Sequence, residues 1–172
     1  MKQGLIHLYA GDGKGKTTAA VGLAVRAEGN GLRVWFLQFM KGRTSGEISV
    51  LKQLPGCTVR RGSCTKFSFQ MTEKEKQTVK SEQDSLLQEA VRQAGLTDLL
   101  ILDEVLSAVQ TGLLSEEPLR EFLKNKPAHL ELVMTGRDPK PYMIEAADYY
   151  SEIVKKKHPF DQGITARKGI EE

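Results

Sequence analysis

The sequence predicts an α/β domain, a mostly parallel sheet with helices on both faces, and three observations predict it. Short apolar runs alternate with longer amphipathic stretches along the whole chain, which is the pattern of repeated strand, loop and helix. Each apolar run is short enough to be a buried strand. A glycine-rich loop joins the first run to the first helix, as it does where such sheets bind phosphate.

With 172 residues, the chain is expected to form one domain over 1–172, with no repeat or low-complexity segment to divide it. A chain of this length buries roughly 70% of its unfolded surface, so the core needs neither a disulfide nor a structural metal. Disordered chains and mini-protein scaffolds are excluded. Lys plus Arg number 25 and Asp plus Glu 22, a net charge of +3. That is too balanced for a dedicated nucleic-acid binder, although Lys155, Lys156 and Lys157 could meet a phosphate locally. Cys57 and Cys64 fit neither a disulfide framework nor a four-ligand zinc site, so a reducing compartment is the default. The N-terminal apolar run is too short for a signal peptide, and no stretch approaches 18 apolar residues. A cytoplasmic protein is expected, with neither membrane nor nucleic acid as partner.

The predicted strands, in order, are Leu5 to Ala10, Arg33 to Phe39, Thr58 to Arg61, Leu99 to Asp103, Leu130 to Thr135 and Tyr149 to Val154. Helix signals fall between them. Thr17 to Glu28 closes on Gly29-Asn30-Gly31. Thr72 with Glu75 forms a capping box at the head of a long polar helix ending near Ala94-Gly95. Ser115 caps a helix running to about Asn125, which Pro127 stops. Met40 to Gly46 and Gly62 to Met71 are the long loops. Both follow predicted strands, which places them on the carboxyl edge, where open parallel sheets bind ligands.

Directly after the first strand comes Ala10-Gly11-Asp12-Gly13-Lys14-Gly15-Lys16-Thr17-Thr18, followed by the helix-forming run Ala19 to Ala24. This is a P-loop in its required context. The glycines let consecutive backbone N–H groups turn onto one anion, and the helix adds its positive end. Lys16 supplies a mobile cation and Thr17 a hydroxyl for Mg²⁺. The strict pattern has glycine first, where this chain has Ala10, but Gly11, Gly13 and Gly15 retain the flexibility. The candidate nucleotide contacts are thus Gly11, Asp12, Gly13, Lys14, Gly15, Lys16, Thr17 and Thr18.

Leu99 to Glu104 supplies the second half, an apolar strand delivering Asp103 and Glu104 at its carboxyl end. This pattern is that of a Walker B element, whose acids hold Mg²⁺ directly or through water. Thr17, Asp103 and Glu104 are therefore the candidate metal shell.

A P-loop fixes nucleotide binding and leaves the reaction open. The only Asn-Lys pair, Asn125-Lys126-Pro127-Ala128, lacks the form of a guanine-recognition element, and two cysteines cannot supply a thymidine-kinase-like zinc set. The discriminating segments are Gln38-Phe39-Met40-Lys41-Gly42, Ser107 to Leu114, Thr135-Gly136-Arg137 and the tail from Lys157-His158-Pro159 to Glu171. With the P-loop and Leu-Asp-Glu, in that order, they resemble the P-loop family of ATP:corrinoid adenosyltransferases, over nearly the whole chain from Leu5 to Glu171. Three departures stand out. Four residues precede Leu5, where the family often carries an arm; Lys66-Phe67-Ser68-Phe69 stands for its usual Gly-Phe-Thr-Trp; and Glu172 stands for its frequent final tyrosine.

The resemblance implies a RecA-like P-loop NTPase fold, ATP and cob(I)alamin or a related corrinoid as substrates, Mg²⁺ as cofactor, a reduced flavoprotein as electron donor, and a homodimer. The implied reaction is alkylation: Co(I) attacks C5′ of ATP and triphosphate leaves, so the nucleophile belongs to the substrate. Lys16, Thr17 and Glu104 are then the implied catalytic residues, acting on charge rather than on a water. Lys41 and Arg137 are candidate phosphate contacts, with a structural ion pair as the alternative for each. Phe67 and Phe69 are candidates to exclude water from the lower corrin face; alternatively they anchor their loop to the core. For His158 and Arg167 a site role and a packed, capped C-terminus are equally open. The rival functions are a P-loop ATPase or small-molecule kinase and a non-catalytic ATP-binding module.

Overall fold

Five-residue apolar segments dominate the strands because most of them are covered on both faces. They are β1 (Ile6–Ala10), β2 (Val34–Gln38), β3 (Cys57–Arg61), β4 (Leu99–Asp103), β5 (Glu131–Thr135) and β6 (Tyr149–Glu152). This computed structural model describes residues 3–42 and 45–171. Among these residues the six strands form one sheet in the order β3-β2-β4-β5-β1-β6, with every neighbouring pair parallel. β4 is central and buried throughout, whereas edge strand β6 is exposed at all four positions and correspondingly reads Tyr-Tyr-Ser-Glu.

Helices α1 (Lys16–Glu28) and α2 (Gly46–Leu51) cover one face. Ala20, Ala24 and Ala27 recur at helical spacing on α1, and their small side chains let its backbone lie close to Phe36, Ile101 and Val133 of the sheet. The other face is covered by α3 (Glu73–Gln93), α4 (Val105–Gln110), α5 (Glu116–Lys124) and α6 (Pro141–Ala146). Leu100, Leu102, Leu132 and Met134 are fully buried beneath them, each burial contributing about 1.5–3 kcal/mol relative to exposure.

The capping box of α3 is present as predicted: Thr72 Oγ1 accepts from the Glu75 amide and the Thr72 amide donates to Glu75 Oε2. Ser115 occupies the N-cap position of α5 but its side chain does not cap. Its hydroxyl and its amide both donate to Asp84 of α3, tying the two helices together instead. Helices α2, α4 and α6 escape sequence reading because six residues are less than two turns, too few for an apolar period to show. Of the predicted loops, Gly62 to Met71 contains a single 3₁₀ turn at Ser68–Gln70, and Arg43 and Thr44 of the other lie outside the described residues, as does Glu172.

Because all strands run the same way, the loops leaving Ala10, Gln38, Asp103, Thr135 and Glu152 emerge on one edge. β5 stands between the P-loop strand and the acidic strand, the RecA-like arrangement, so the two chemical halves meet across the end of β5.

Candidate active site

The P-loop is shaped by the backbone just beyond β6. Ile153 donates its amide to Ala10 O at 2.8 Å and accepts from the Gly13 amide at 2.7 Å. A Cβ at Gly13 would lie 2.7 Å from Ile153 O, and one at Gly11, where φ is +111°, would lie 2.5 Å from the same oxygen. Glycine is therefore required there by close approach as well as by conformation. Asp12 accepts from the Lys155 amide at 2.9 Å, and this hydrogen bond is the main reason its carboxyl titrates below the usual range.

Helix α1 begins at Lys16 with no acidic side chain in its first turn, so its free N–H groups face the cavity with their positive end uncompensated. Lys16 is 8% exposed and donates to Gly13 O at 2.8 Å. Burial holds its pKa below the ordinary value, and the nearby Arg137 and Lys41 charges act in the same direction against Glu104 and Asp12. An entering polyphosphate would relieve that repulsion.

Asp103 is fully buried at the end of β4, where its two oxygens accept from Gln38 Nε2 at 2.9 Å and Thr135 Oγ1 at 2.7 Å. Glu104 turns out of the strand in a left-handed conformation, φ +62°, uncommon for a residue with a side chain. The turn is held by its amide donating to Thr135 Oγ1 at 2.9 Å and by Ser107 Oγ donating to its Oε2 at 2.9 Å. Ser107 Oγ also accepts from the Arg137 amide at 3.2 Å, linking the acid pair to the end of β5.

Lys41 binds no single partner. Its Nζ lies 3.5 Å from Thr17 Oγ1 and 3.9 Å from both Asp103 Oδ2 and Glu104 Oε1, so one ammonium marks the point where these three oxygens converge. The donor set suits Mg²⁺, which keeps several waters and takes one or two carboxylates plus phosphate oxygens rather than an all-protein cage.

These elements enclose a cavity of about 620 Å³. Of the predicted residues, Asp12, Gly13, Lys14, Gly15, Lys16, Thr17, Thr18, Lys41, Glu104 and Arg137 line it. Gly11 and Asp103 lie behind it, the first shaping the loop and the second bracing the end of β4. The structural ion-pair alternative fails for Arg137, whose guanidinium has no partner among the described residues.

Phe67 and Phe69 do not line this cavity. Their rings stack on one another, centroids 5.5 Å apart with 8° between planes, and are 60% and 82% exposed. The structure thus overturns the alternative that they anchor the loop to the core. The loop is held instead by Ser63 on Glu82, by Lys66, which donates to Glu75 near the head of α3, and by Cys64 and Met71, which are buried against Leu113.

Sequence reasoning named the motifs containing Gln38, Ser107 and Thr135 but gave these residues no task, and only their convergence across three elements reveals it. It also left open the tail, which supplies part of the cavity wall between His158 and Glu171, with Phe160, Ile164 and Ile170 as apolar lining. Within it, His158 Nδ1 accepts from the Phe160 amide at 3.2 Å and starts a 3₁₀ turn at Pro159–Gln162.

Comparison with known proteins agrees with this geometry. Over 171 residues the chain is 32% identical to the corrinoid adenosyltransferase of Pseudomonas aeruginosa, covering 99% of this chain and 84% of that one. It is 34% identical over 178 residues to corrinoid adenosyltransferase CobA of Salmonella typhimurium and 34% over 173 residues to the Escherichia coli corrinoid adenosyltransferase, covering 99% of this chain and 86% of each relative. The family model described as ATP:corrinoid adenosyltransferase BtuR/CobO/CobP matches residues 2–171, and the chain belongs to that family.

Proposed function

We propose that this chain transfers the 5′-deoxyadenosyl group of ATP to the Co(I) of cob(I)alamin or a related reduced corrinoid. The cobalt lone pair forms a bond to C5′, the bond from C5′ to the α-phosphate oxygen breaks, and inorganic triphosphate leaves with that electron pair, so Co(I) becomes alkyl Co(III). The observation that best supports this chemistry is the state of the two β4 acids. Asp103 is committed to Gln38 and Thr135, and Glu104 to Ser107, at the mouth of a complete phosphate cradle. Asp103 is spent on both oxygens, and Glu104 Oε1 faces Lys41 at 3.9 Å beside Thr17, the position of a metal ligand, which suits a reaction whose nucleophile arrives with the substrate.

Lys16, Arg137 and the first amides of α1 receive the charge that grows on the departing triphosphate, where fixed donors are most effective. Mg²⁺ would be held by Thr17 and Glu104, with Asp103 bracing them from behind, and when bound it neutralises phosphate charge. Phe67 and Phe69, already bare and parallel, are suited to cover the lower corrin face. The family resemblance extends the proposal to a homodimer, a reduced flavoprotein as electron donor and a cytoplasmic location; no helix among the described residues is long and apolar enough to cross a membrane.

The deciding experiment incubates the protein with ATP and chemically reduced cobalamin and follows the absorbance of the corrinoid. Formation of the alkyl product with tripolyphosphate is expected. ADP with phosphate as the nucleotide products would establish an ATPase or kinase, and ATP binding without turnover a regulatory module.

A further inference from the structure

The tail and the P-loop each contribute a cation to the cavity wall, and one carboxylate of the tail already holds both. Arg167 clasps Glu171 with both arms of its fork, Nε to Oε2 at 3.1 Å and Nη2 to Oε1 at 2.9 Å, and its amide donates to Oε2 at 2.9 Å. Lys14 of the P-loop reaches the same carboxylate, Nζ to Oε1 at 3.3 Å. Lys14, Arg167 and Glu171 all line the cavity beside Gly13 and Lys16. The guanidinium fork fits a phosphate as well as it fits a carboxylate, and a polyphosphate brings more charge than one carboxylate does.

We propose that Glu171 is an internal anion occupying a polyphosphate subsite, and that the incoming nucleotide displaces it from Lys14 and takes over Arg167 as a further phosphate-binding residue. This rests on the reading of the cavity as the ATP site and adds to it a ligand from the far end of the chain. The depth of the carboxylate's present embrace fits the role: the Arg167 side chain and amide, with help from Lys14, hold Glu171 down to a pKa of about 2. The cations are therefore neutralised at every physiological pH until a stronger anion arrives.

Binding of inorganic tripolyphosphate to the full chain, measured by calorimetry, separates displacement from simple tail docking. E171Q keeps the shape but removes the competing charge, so it should tighten tripolyphosphate binding about threefold or more, whereas R167Q should weaken it about tenfold. E47Q removes the same charge from another part of the cavity wall and should tighten binding less than E171Q does. If Glu171 merely pins the tail, E171Q and R167Q will weaken binding together, and the proposal falls. Equal tightening by E171Q and E47Q would reduce the effect to the general field and also overturn it. Wild-type protein that binds neither tripolyphosphate nor ATP would instead refute the nucleotide site itself, a result distinct from both.

Discussion

Two loops leave the carboxyl edge of the same sheet and are built on opposite principles. The P-loop is finished before any ligand arrives: Gly11 and Gly13 lie against the Ile153 backbone, Lys16 is 8% exposed, and Asp12 is held by the Lys155 amide. The loop from Gly62 to Met71 is fixed along its flanks, by Ser63 on Glu82, Lys66 on Glu75 and the buried Cys64 and Met71, while the rings at its tip stack on each other in solvent. Charge stabilisation demands donors that need no reorganisation during the reaction, whereas a large planar substrate is covered by apolar groups left without a partner. On the proposed function, preorganisation belongs to the phosphates and unspent apolar surface to the corrinoid.

The contrast is most exposed to refutation at Lys16. Lys16→Ala should lower turnover about 10²- to 10³-fold, with a stability change of no more than about 1–2 kcal/mol. Wild-type turnover in the folded variant would show that the cradle is not where the leaving group sits. Next in size is Thr135→Val, which keeps the shape but strips Asp103 Oδ1 and the Glu104 amide of their shared partner. It should cost about 1–3 kcal/mol in a denaturant titration. An unchanged midpoint would mean that the end of β4 is not held in place through Thr135.

Glu104→Gln should raise the Mg²⁺ concentration needed for half-maximal activity several-fold and leave corrinoid affinity nearly unchanged. An unaltered metal requirement would move the direct contact to Asp103, despite its burial. Phe69→Ala tests the other loop, and here exposure revises what the sequence alone allowed. A buried phenylalanine would cost about 3–5 kcal/mol on truncation, but a ring 82% exposed should change stability by less than about 0.5 kcal/mol. The four-coordinate cobalt signal in the presence of ATP should nevertheless weaken while ATP affinity survives. A normal signal would leave the aromatic pair without a task at the corrin.

The smallest expected effect is common to both loops. Glu171, clasped by Arg167, and Glu75, bonded by Lys66 and Thr72, are both depressed to about 2 from an ordinary 4.5. A carboxyl lowered by folding stabilises fully above its unfolded pKa and loses that contribution as pH falls through the folded value. Both clasps should thus persist at pH 5 and release between about 4.5 and 2, tracked as carboxyl carbon shifts by NMR. A titration of Glu171 near 4.5 would show that the tail is not clasped in solution.

Much of this protein was legible in its residues. Leu99 to Asp103 is observed as a strand with the predicted bounds, and the Thr72 to Glu75 box caps α3, because apolar runs and capping residues act locally. The P-loop was legible for the same reason, since its nine residues carry their own conformation and chemistry. Residue order alone established that a phosphate cradle comes after the first strand and that two acids end the fourth. Their division of labour needed the folded chain: Asp103 is buried by Gln38 and Thr135, 65 and 32 residues away, while Glu104 turns into the cavity. Likewise no local signal could place Glu171 on Lys14 across 157 residues. Periodicity and capping report on neighbours in the chain, whereas the burial of a carboxylate or the seat of a tail depends on which strands the sheet sets side by side.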